Sequence, residues 1–174
     1  MGAIIELLDH PPDASQLAAR YRAICEDPRF ANLQGKVELD RWGKITLSPA
    51  SNLHGLLQAR LAQRLSGIGG AAINECVVST DLGITVADLA WASDDFMAKH
   101  GLHTPFMAAP ELCVEIASPS NSREELENKM SAYLAAGARE AWIVLPQSRR
   151  IEVYTAAGRT DRTTFAIDLD GLFA

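Results

Sequence analysis

The sequence predicts an α/β (α+β) fold in one domain, because strand-like and helix-like segments alternate along the chain. The clearest stretch runs from residue 110 to residue 145. A short apolar run at residues 112–117 is typical of a buried strand, and a helical segment and a second apolar run at residues 140–145 follow it. A chain of 174 residues with 48% hydrophobic and 22% charged residues fits a single soluble domain with a substantial core.

The N-terminal half predicts two helices separated by a β-hairpin. A Pro-Pro-Asp start predicts a helix over residues 14–26, and apolar residues alternating around an Arg-Trp-Gly turn predict a hairpin over residues 37–47. A polar turn with a good helix cap then precedes a second helix over residues 53–65. We divide the domain, residues 1–174, into a helical extension over residues 1–30 and a core over residues 31–174.

Further strands follow the second helix. Apolar runs predict strands over residues 71–79, 84–92 and 151–154. Residues 93–109 are polar and predict a loop connection, whereas the tail at residues 165–173 predicts a terminal strand and turn.

The helix after the strand at residues 112–117 has signals at both ends. Ser122 and Glu125 form a capping box, and Gly137 is placed to end the helix in a left-handed conformation. The apolar stripe has helical spacing and consists of Leu126, Met130, Tyr133 and Leu134. Lys129 lies at the edge of this stripe. Its ammonium is therefore expected either to form a buried ion pair or snorkel to solvent, or to reach a site on the preceding strand.

Two carboxylates interrupt apolar strands. Asp88 lies within residues 84–92, and Glu115 lies within residues 112–117. Burying an unpaired carboxylate costs several kcal/mol, and two neighbouring carboxylates also repel each other. A divalent cation would remove both penalties, and oxygen ligands suit magnesium. The pair therefore predicts a metal site.

Histidines and arginines give weaker signals. His54 is expected to face inward or along a cleft, as a core histidine or as a functional one. The pair His100-x-x-His103 has the spacing of two metal ligands, but its loop-like setting favours an ordinary surface role. Five arginines are candidates for phosphate contacts or for plain solvated surface, namely Arg60, Arg64, Arg123, Arg149 and Arg150.

Charge and composition exclude several classes. A formal net charge of −6 argues against tight nonspecific nucleic-acid binding, although a local basic groove is compatible with it. No apolar run is long enough to span a bilayer, and the start has no secretory pattern. Three widely spaced cysteines form neither a disulfide framework nor a zinc pattern, which predicts a cytoplasmic protein.

Taken in order, several motifs resemble the Uma-two family of restriction-endonuclease-like proteins, which belongs to the PD-(D/E)XK nuclease superfamily. The resemblance covers roughly residues 30–154. It depends on Ala87-Asp88, on Pro110-Glu-Leu-Cys-Val-Glu115-Ile-Ala-Ser-Pro-Ser, on Lys129-x-x-x-Tyr133, on Gly137, on Glu140-Ala-Trp-Ile-Val and on Ile151-Glu-Val-Tyr154.

The resemblance implies a restriction-endonuclease-like core, with a mixed β-sheet flanked by helices, and phosphodiester hydrolysis with Mg²⁺ or Mn²⁺. Asp88 matches the first acidic residue of the family pattern and Glu115 matches the central one. These two carboxylates and the backbone carbonyl of Ile116 would hold the metal. Lys129 would orient water or stabilise negative charge, and His54 would assist proton transfer or contact phosphate.

The sequence departs from the family pattern at three positions. Ala117 stands where a lysine is usual, two residues after Glu115, so the ammonium would have to come from Lys129. Ala87 replaces a common proline, and Glu111 replaces a common aspartate. The first departure makes activity depend on Lys129 alone reaching across to the site.

The sequence therefore predicts a metal-dependent endonuclease that acts on nucleic acid, with DNA favoured over RNA. A second hypothesis is a nuclease fold that no longer cuts and serves in nucleic-acid binding or protein assembly. We expect no membrane association and allow for a homodimer.

Overall fold

The computed structural model describes residues 10–30, 35–48, 51–160 and 162–174. Within these ranges the α-helices are α1 (Ala14–Glu26), α2 (Asn52–Ser66), α3 (Asp94–His100) and α4 (Arg123–Ala135), and Pro28–Phe30 forms a short 3-10 helix. The strands are β1 (Lys36–Asp40), β2 (Ile45–Ser48), β3 (Ala71–Thr80), β4 (Gly83–Ala92), β5 (Leu112–Ile116), β6 (Glu140–Leu145), β7 (Arg150–Thr155) and β8 (Gly158–Thr160).

The strands form one mixed sheet. Its order is β2-β1-β4-β5-β6-β7-β8, and β3 pairs with β4 outside this path. β5 and β6 are parallel and are joined through α4, whereas the other neighbouring strands are antiparallel. The predicted α/β fold, with a mixed sheet flanked by helices, is confirmed.

One edge of β4 is shared by two strands that separate from each other. β3 occupies the other edge of β4 and pairs with it from Gly83 to Ala92, except at Asp88. On the shared edge, β1 pairs with Gly83 and Ile84, and β5 pairs with β4 from Leu89 to Trp91. Residues 85–88 therefore have no partner strand on this edge among the described residues. We call this opening between β1 and β5 the fork.

Two helices cover opposite faces of the sheet. α2 packs on one face through buried leucines, namely Leu57, Leu61 and Leu65. α4 packs on the other face through Leu126, Met130 and Tyr133. Each fully buried leucine contributes about 1.5–3 kcal/mol to folding. Since side chains alternate along a strand, Cys113 and Glu115 of β5 point toward α4, whereas Leu112 and Val114 point toward α2.

α1 forms a third core near the fork. Its N-cap Asp13 and Gln16 exchange hydrogen bonds in a capping box. Its buried face includes Leu17 and Tyr21, which pack with Leu39 of β1. None of the described helices is long and apolar enough to cross a bilayer.

Most predicted elements are present, but two predictions were wrong. The predicted loop at residues 93–109 contains α3, which Ser93 caps by accepting a hydrogen bond from the Phe96 N–H. The tail at residues 165–173 contains a turn and irregular chain but no strand. The predicted turn at residues 48–52 falls partly outside the described residues, at positions 49–50. The division of the domain after residue 30 stays a prediction.

Gly83 allows β1 to approach β4 at the base of the fork. Its φ is +124°, and an added Cβ would lie 2.2 Å from the Leu39 carbonyl oxygen. We expect Gly83→Ala to lower the free energy of unfolding by at least about 3 kcal/mol, because backbone strain and steric overlap add. The matched control is Gly158→Ala, since Gly158 has a φ of +112° but no atom within 4 Å of the added Cβ. Urea unfolding measures both variants, and equal losses would contradict the steric explanation.

Candidate active site

Buried carboxylates occupy the fork, where strand pairing is missing. Glu38 Oε1 accepts a hydrogen bond of 2.7 Å from the Val86 N–H. Asp88 Oδ2 accepts one of 2.6 Å from the Ile116 N–H. Side chains thus satisfy backbone donors that a continuous sheet would pair with carbonyls. The open ladder therefore fixes these two carboxylates in place.

Asp88 and Glu115 lie on adjacent strands and point toward one common position. Asp88 is 2% exposed and Glu115 is 4% exposed. The Lys36 ammonium lies between them, 2.6 Å from Asp88 Oδ1 and 3.5 Å from Glu115 Oε2. One ammonium group therefore contacts two buried carboxylates at the centre of the fork and offsets one of their two charges.

Lys129 reaches Glu115 from the opposite side. Its Nζ is 2.9 Å from Glu38 Oε1 and 3.4 Å from Glu115 Oε1. The Tyr133 hydroxyl donates a hydrogen bond of 2.7 Å to Glu115 Oε1. α4 presents both donors because Lys129 and Tyr133 are four residues apart and lie on the same side of the helix. The two oxygens of Glu115 therefore have separate partners, with Lys36 on one and α4 on the other.

α2 supplies the third wall. His54 Nε2 lies 3.2 Å from Asp88 Oδ1. Gln58 donates to the Asp88 carbonyl and, over 3.0 Å, to Glu75 Oε1. Glu75 lies opposite Asp88, where the regular β3–β4 pairing skips both residues, and its φ is +52°. A positive φ in a non-glycine residue costs about 1–3 kcal/mol and is concentrated at functional sites.

His54, Glu75 and Asp88 form a group that could hold a metal ion. Each residue offers one ligand atom, and these three atoms lie within 4.8 Å of one another. Among the described residues, this is the one group of three such side chains. The pair His100 and His103 is not part of it, and the His100 ring instead stacks on Phe96.

Burial and charge set the pKa values of the cluster. Burial raises the pKa of Glu115 above its usual value, although Lys129 and Lys36 oppose this effect. Burial also acts to raise the pKa of Asp88, but the His54 hydrogen bond and the Lys36 charge outweigh it, so this pKa is lowered. The hydrogen bond to Asp88 raises the pKa of His54.

Both lysines keep their charge. Burial acts to lower the pKa of Lys36 and of Lys129, but Glu115 and the other nearby carboxylates outweigh it and raise both values. At neutral pH the cluster therefore holds two charged ammonium groups.

The site opens into a cleft of about 280 Å³. Several of the charged groups described above line the cleft, among them Lys36, Asp88 and Glu115. Small polar residues also line the cleft, namely Ser48, Ser51, Ser118, Ser120 and Asn121. A larger hollow of about 710 Å³ lies between α1 and residues 99–107, and none of the fork carboxylates lines it. The cleft at the fork is therefore the candidate active site.

Most of the arginines proposed for phosphate contacts have partners within the protein. Arg60 donates to the Leu172 carbonyl, Arg64 to the Asp170 carbonyl and Arg149 to the Phe173 carbonyl. Arg123 pairs with Glu127 and Glu152. The first three hold the C-terminal tail against α2 and the sheet, which explains why the tail is ordered without being a strand.

All four predicted catalytic side chains meet at the fork, namely His54, Asp88, Glu115 and Lys129. Ile116, the predicted carbonyl ligand, lines the same cleft. Sequence reasoning missed Lys36, Glu38 and Glu75. The available signal was that residues 36 and 38, a Lys-x-Glu pair, lie on the same side of a short strand. The residues that they contact are 52 to 91 positions away in the sequence, so the pair alone does not indicate a site.

The fold and site can now be compared with known proteins. The Uma2 family model, described as putative restriction endonuclease, matches residues 18–168. The match covers most of the chain, so the protein belongs to the Uma2 family. The resemblance drawn from the sequence motifs is confirmed.

A solved structure shares this fold. It is the crystal structure of a putative nuclease belonging to DUF820 from Anabaena variabilis ATCC 29413, with a TM-score of 0.62 and 17% sequence identity. The match covers 82% of this chain and 88% of that one. At this identity the likeness shows the fold alone.

Curated relatives match a shorter stretch. The 1-deoxy-D-xylulose-5-phosphate synthase of Francisella tularensis subsp. holarctica is 30% identical over 104 residues, and that of subsp. novicida is 29% identical over the same length. These matches cover 60% of this chain but only 16% of the synthases. So small a share of the synthases gives no ground for assigning their activity here.

The Lys129–Glu38 pair tests how the cluster supports folding. Both side chains are about nine-tenths buried, so Lys129→Met should lower the free energy of unfolding by about 3–5 kcal/mol by leaving a buried carboxylate unpaired. The double variant Lys129→Met/Glu38→Gln should lose less than the sum of the single losses. Urea unfolding measures all three, with the exposed Lys99→Met as control. Additive losses would show that the two residues do not interact.

Proposed function

We propose that this chain is a metal-dependent nuclease that hydrolyses phosphodiester bonds of nucleic acid, with DNA as the expected polymer. The observation that carries the proposal is the convergence of Asp88 and Glu115 on one cation position in a buried fork. Membership of the Uma2 family supports it, because that family is described by an endonuclease activity.

The donor set fits a hard divalent ion. Asp88 Oδ1 and Glu115 Oε2 already share one positive charge, and carboxylate oxygens are the ligands that Mg²⁺ and Mn²⁺ prefer. These two residues would hold the ion together with the Ile116 carbonyl, and His54 and Glu75 offer further donors beside Asp88. A bound ion of this kind polarises phosphate and makes water more acidic.

The chain's own residues supply the remaining chemistry. Lys129 is held by Glu38 and Glu115, so its ammonium is preorganised to stabilise negative charge that develops on a phosphate in the cleft. Asp88 orients the His54 imidazole, which can then hold or move a proton at the cleft wall. Ser118 and Ser120 also line the cleft, where their hydroxyl groups can contact the sugar-phosphate backbone.

A second candidate function is a nuclease fold that binds nucleic acid or a protein partner without cutting. The observation that favours it is the position of Lys36, whose ammonium already contacts both Asp88 and Glu115. The two candidates differ in whether a divalent ion enters the fork. The cytoplasmic location and the homodimer stay predictions.

Replacing the carboxylates tests the nuclease proposal. Asp88→Asn and Glu115→Gln keep the side-chain shape and remove the charge that would hold the ion. Each should reduce cleavage of plasmid and oligonucleotide by at least about 100-fold, the size expected for losing one electrostatic group of a catalytic site. The assay uses Mg²⁺ or Mn²⁺, with and without chelator. Asp81→Asn is the matched control, because Asp81 is exposed in the β3–β4 turn. Wild-type rates in either fork variant would contradict the assignment.

Ion binding should also stabilise the folded protein. An ion that binds only the native state at 100 times its dissociation constant adds about 2.7 kcal/mol to the free energy of unfolding. The melting temperature of the wild type should therefore rise with Mg²⁺ or Mn²⁺ in differential scanning calorimetry. The double variant Asp88→Asn/Glu115→Gln should show no such rise. If the melting temperature of the wild type does not change with either ion at concentrations up to tens of millimolar, the result supports the non-cutting module.

A further inference from the structure

Lys36 occupies an unusual place for a basic residue. Its side chain is 11% exposed, and its ammonium contacts two carboxylates that are themselves almost fully buried. The contacted atoms, Asp88 Oδ1 and Glu115 Oε2, are the two oxygens that converge at the centre of the fork. A divalent ion bound by both carboxylates would need the position that this ammonium holds.

The two lysines of the cluster are not equivalent. Lys129 projects from the middle of α4, and its closest partner is Glu38, 2.9 Å away. Lys36 is the first residue of β1, follows Gly35 and lies 2.6 Å from Asp88. Glu38 therefore stays neutralised by Lys129 whatever happens to Lys36. Lys36 is the counter-ion of the proposed metal ligands.

The position of Lys36 allows a second arrangement. Lysine has a flexible four-carbon side chain that ends in a compact charge. Lys36 lines the same cleft as Ser48, Ser118 and Ser120, so its ammonium can leave the carboxylates without leaving the cleft. A phosphate group in the cleft would give the displaced ammonium a new anionic partner.

Resting on the nuclease function proposed above, we infer that Lys36 couples ion binding to substrate binding. In the resting protein its ammonium holds the ion position between Asp88 and Glu115. When the ion enters, the ammonium moves to an oxygen of the substrate phosphodiester. The exchange keeps the lysine charge in the cleft and adds two positive charges, so the occupied site attracts an anionic substrate more strongly than the resting site does.

Ion affinity is the direct test, because it requires no cleavage. Isothermal titration of the wild type and of Lys36→Met with Mn²⁺ alone, at pH 7.5, compares the two dissociation constants. Losing the competing ammonium should tighten Mn²⁺ binding by at least about tenfold, which corresponds to about 1.4 kcal/mol. A lysine that only supports the fold predicts the opposite sign, since its loss would disturb the ligands. Lys44→Met, on the exposed hairpin, is the matched control and should bind as the wild type does.

Substrate kinetics give an independent readout. Lys36→Met should raise KM for a short oligonucleotide at saturating Mn²⁺ by about tenfold or more, although its ion affinity is higher. Lys36→Arg should keep Mn²⁺ affinity near the wild-type value, because it retains a competing charge. If Lys36→Met does not fold, Lys36→Gln replaces it, since its amide is polar but carries no charge.

The outcomes separate the two proposals. Equal or weaker Mn²⁺ binding by a folded Lys36→Met or Lys36→Gln overturns the exchange and leaves the nuclease function standing. If the variant binds Mn²⁺ more tightly but the wild type never cleaves, the nuclease function is overturned and competition for the ion position is supported. Failure of both the wild type and the variant to bind Mn²⁺ overturns both proposals.

Discussion

The site depends on one constraint, which is that β1 and β5 share the same edge of β4 and diverge along it. The divergence leaves residues 85–88 of β4 without a partner strand on that edge. Buried backbone N–H groups need hydrogen-bond acceptors, and here carboxylates provide them. Glu38 accepts from the Val86 N–H, and Asp88 accepts from the Ile116 N–H. Carboxylates buried for this structural reason are already fixed in position, so they are also suited to hold an ion. The geometry of the sheet and the chemistry of the cleft thus have the same origin.

Charge balance is the second requirement of the fork. Glu38, Asp88 and Glu115 place up to three negative charges in a largely buried volume, and Lys36 and Lys129 oppose them. A buried polar cluster is stable only if each of its charged groups has a partner. Glu115 has a further partner in the Tyr133 hydroxyl, which donates a hydrogen bond to it. The two lysines offset two of these three charges, so an ion bound in the fork would change the electrostatics of the cleft.

Local signals in the sequence predicted most of the helices and strands and some of the side chains at the fork. A charge inside an apolar run is visible without any tertiary information, so Asp88 and Glu115 could be found. The Ser-x-x-Glu pattern at Ser122 likewise indicated the helix that presents Lys129, although only the Ser122 hydroxyl caps it and the Glu125 side chain accepts from Asn121 instead. Lys36 and Glu38 could not be found this way, since their partners are distant in sequence and nothing in a five-residue strand shows which residue it will face. The seven-residue α3 was missed because so short a helix has little periodicity, and the tail was misread because its arginine contacts are tertiary.

The central claim is that the fork is an ion site whose resting occupant is the Lys36 ammonium. Anomalous diffraction from a crystal of the wild-type protein grown with Mn²⁺ tests it most directly. We expect an anomalous peak about 2.1 Å from Asp88 Oδ1 and Glu115 Oε2, a typical ion–oxygen distance, with the Lys36 side chain turned into the cleft. A peak elsewhere, or none, with Lys36 still between the two carboxylates, would contradict the claim.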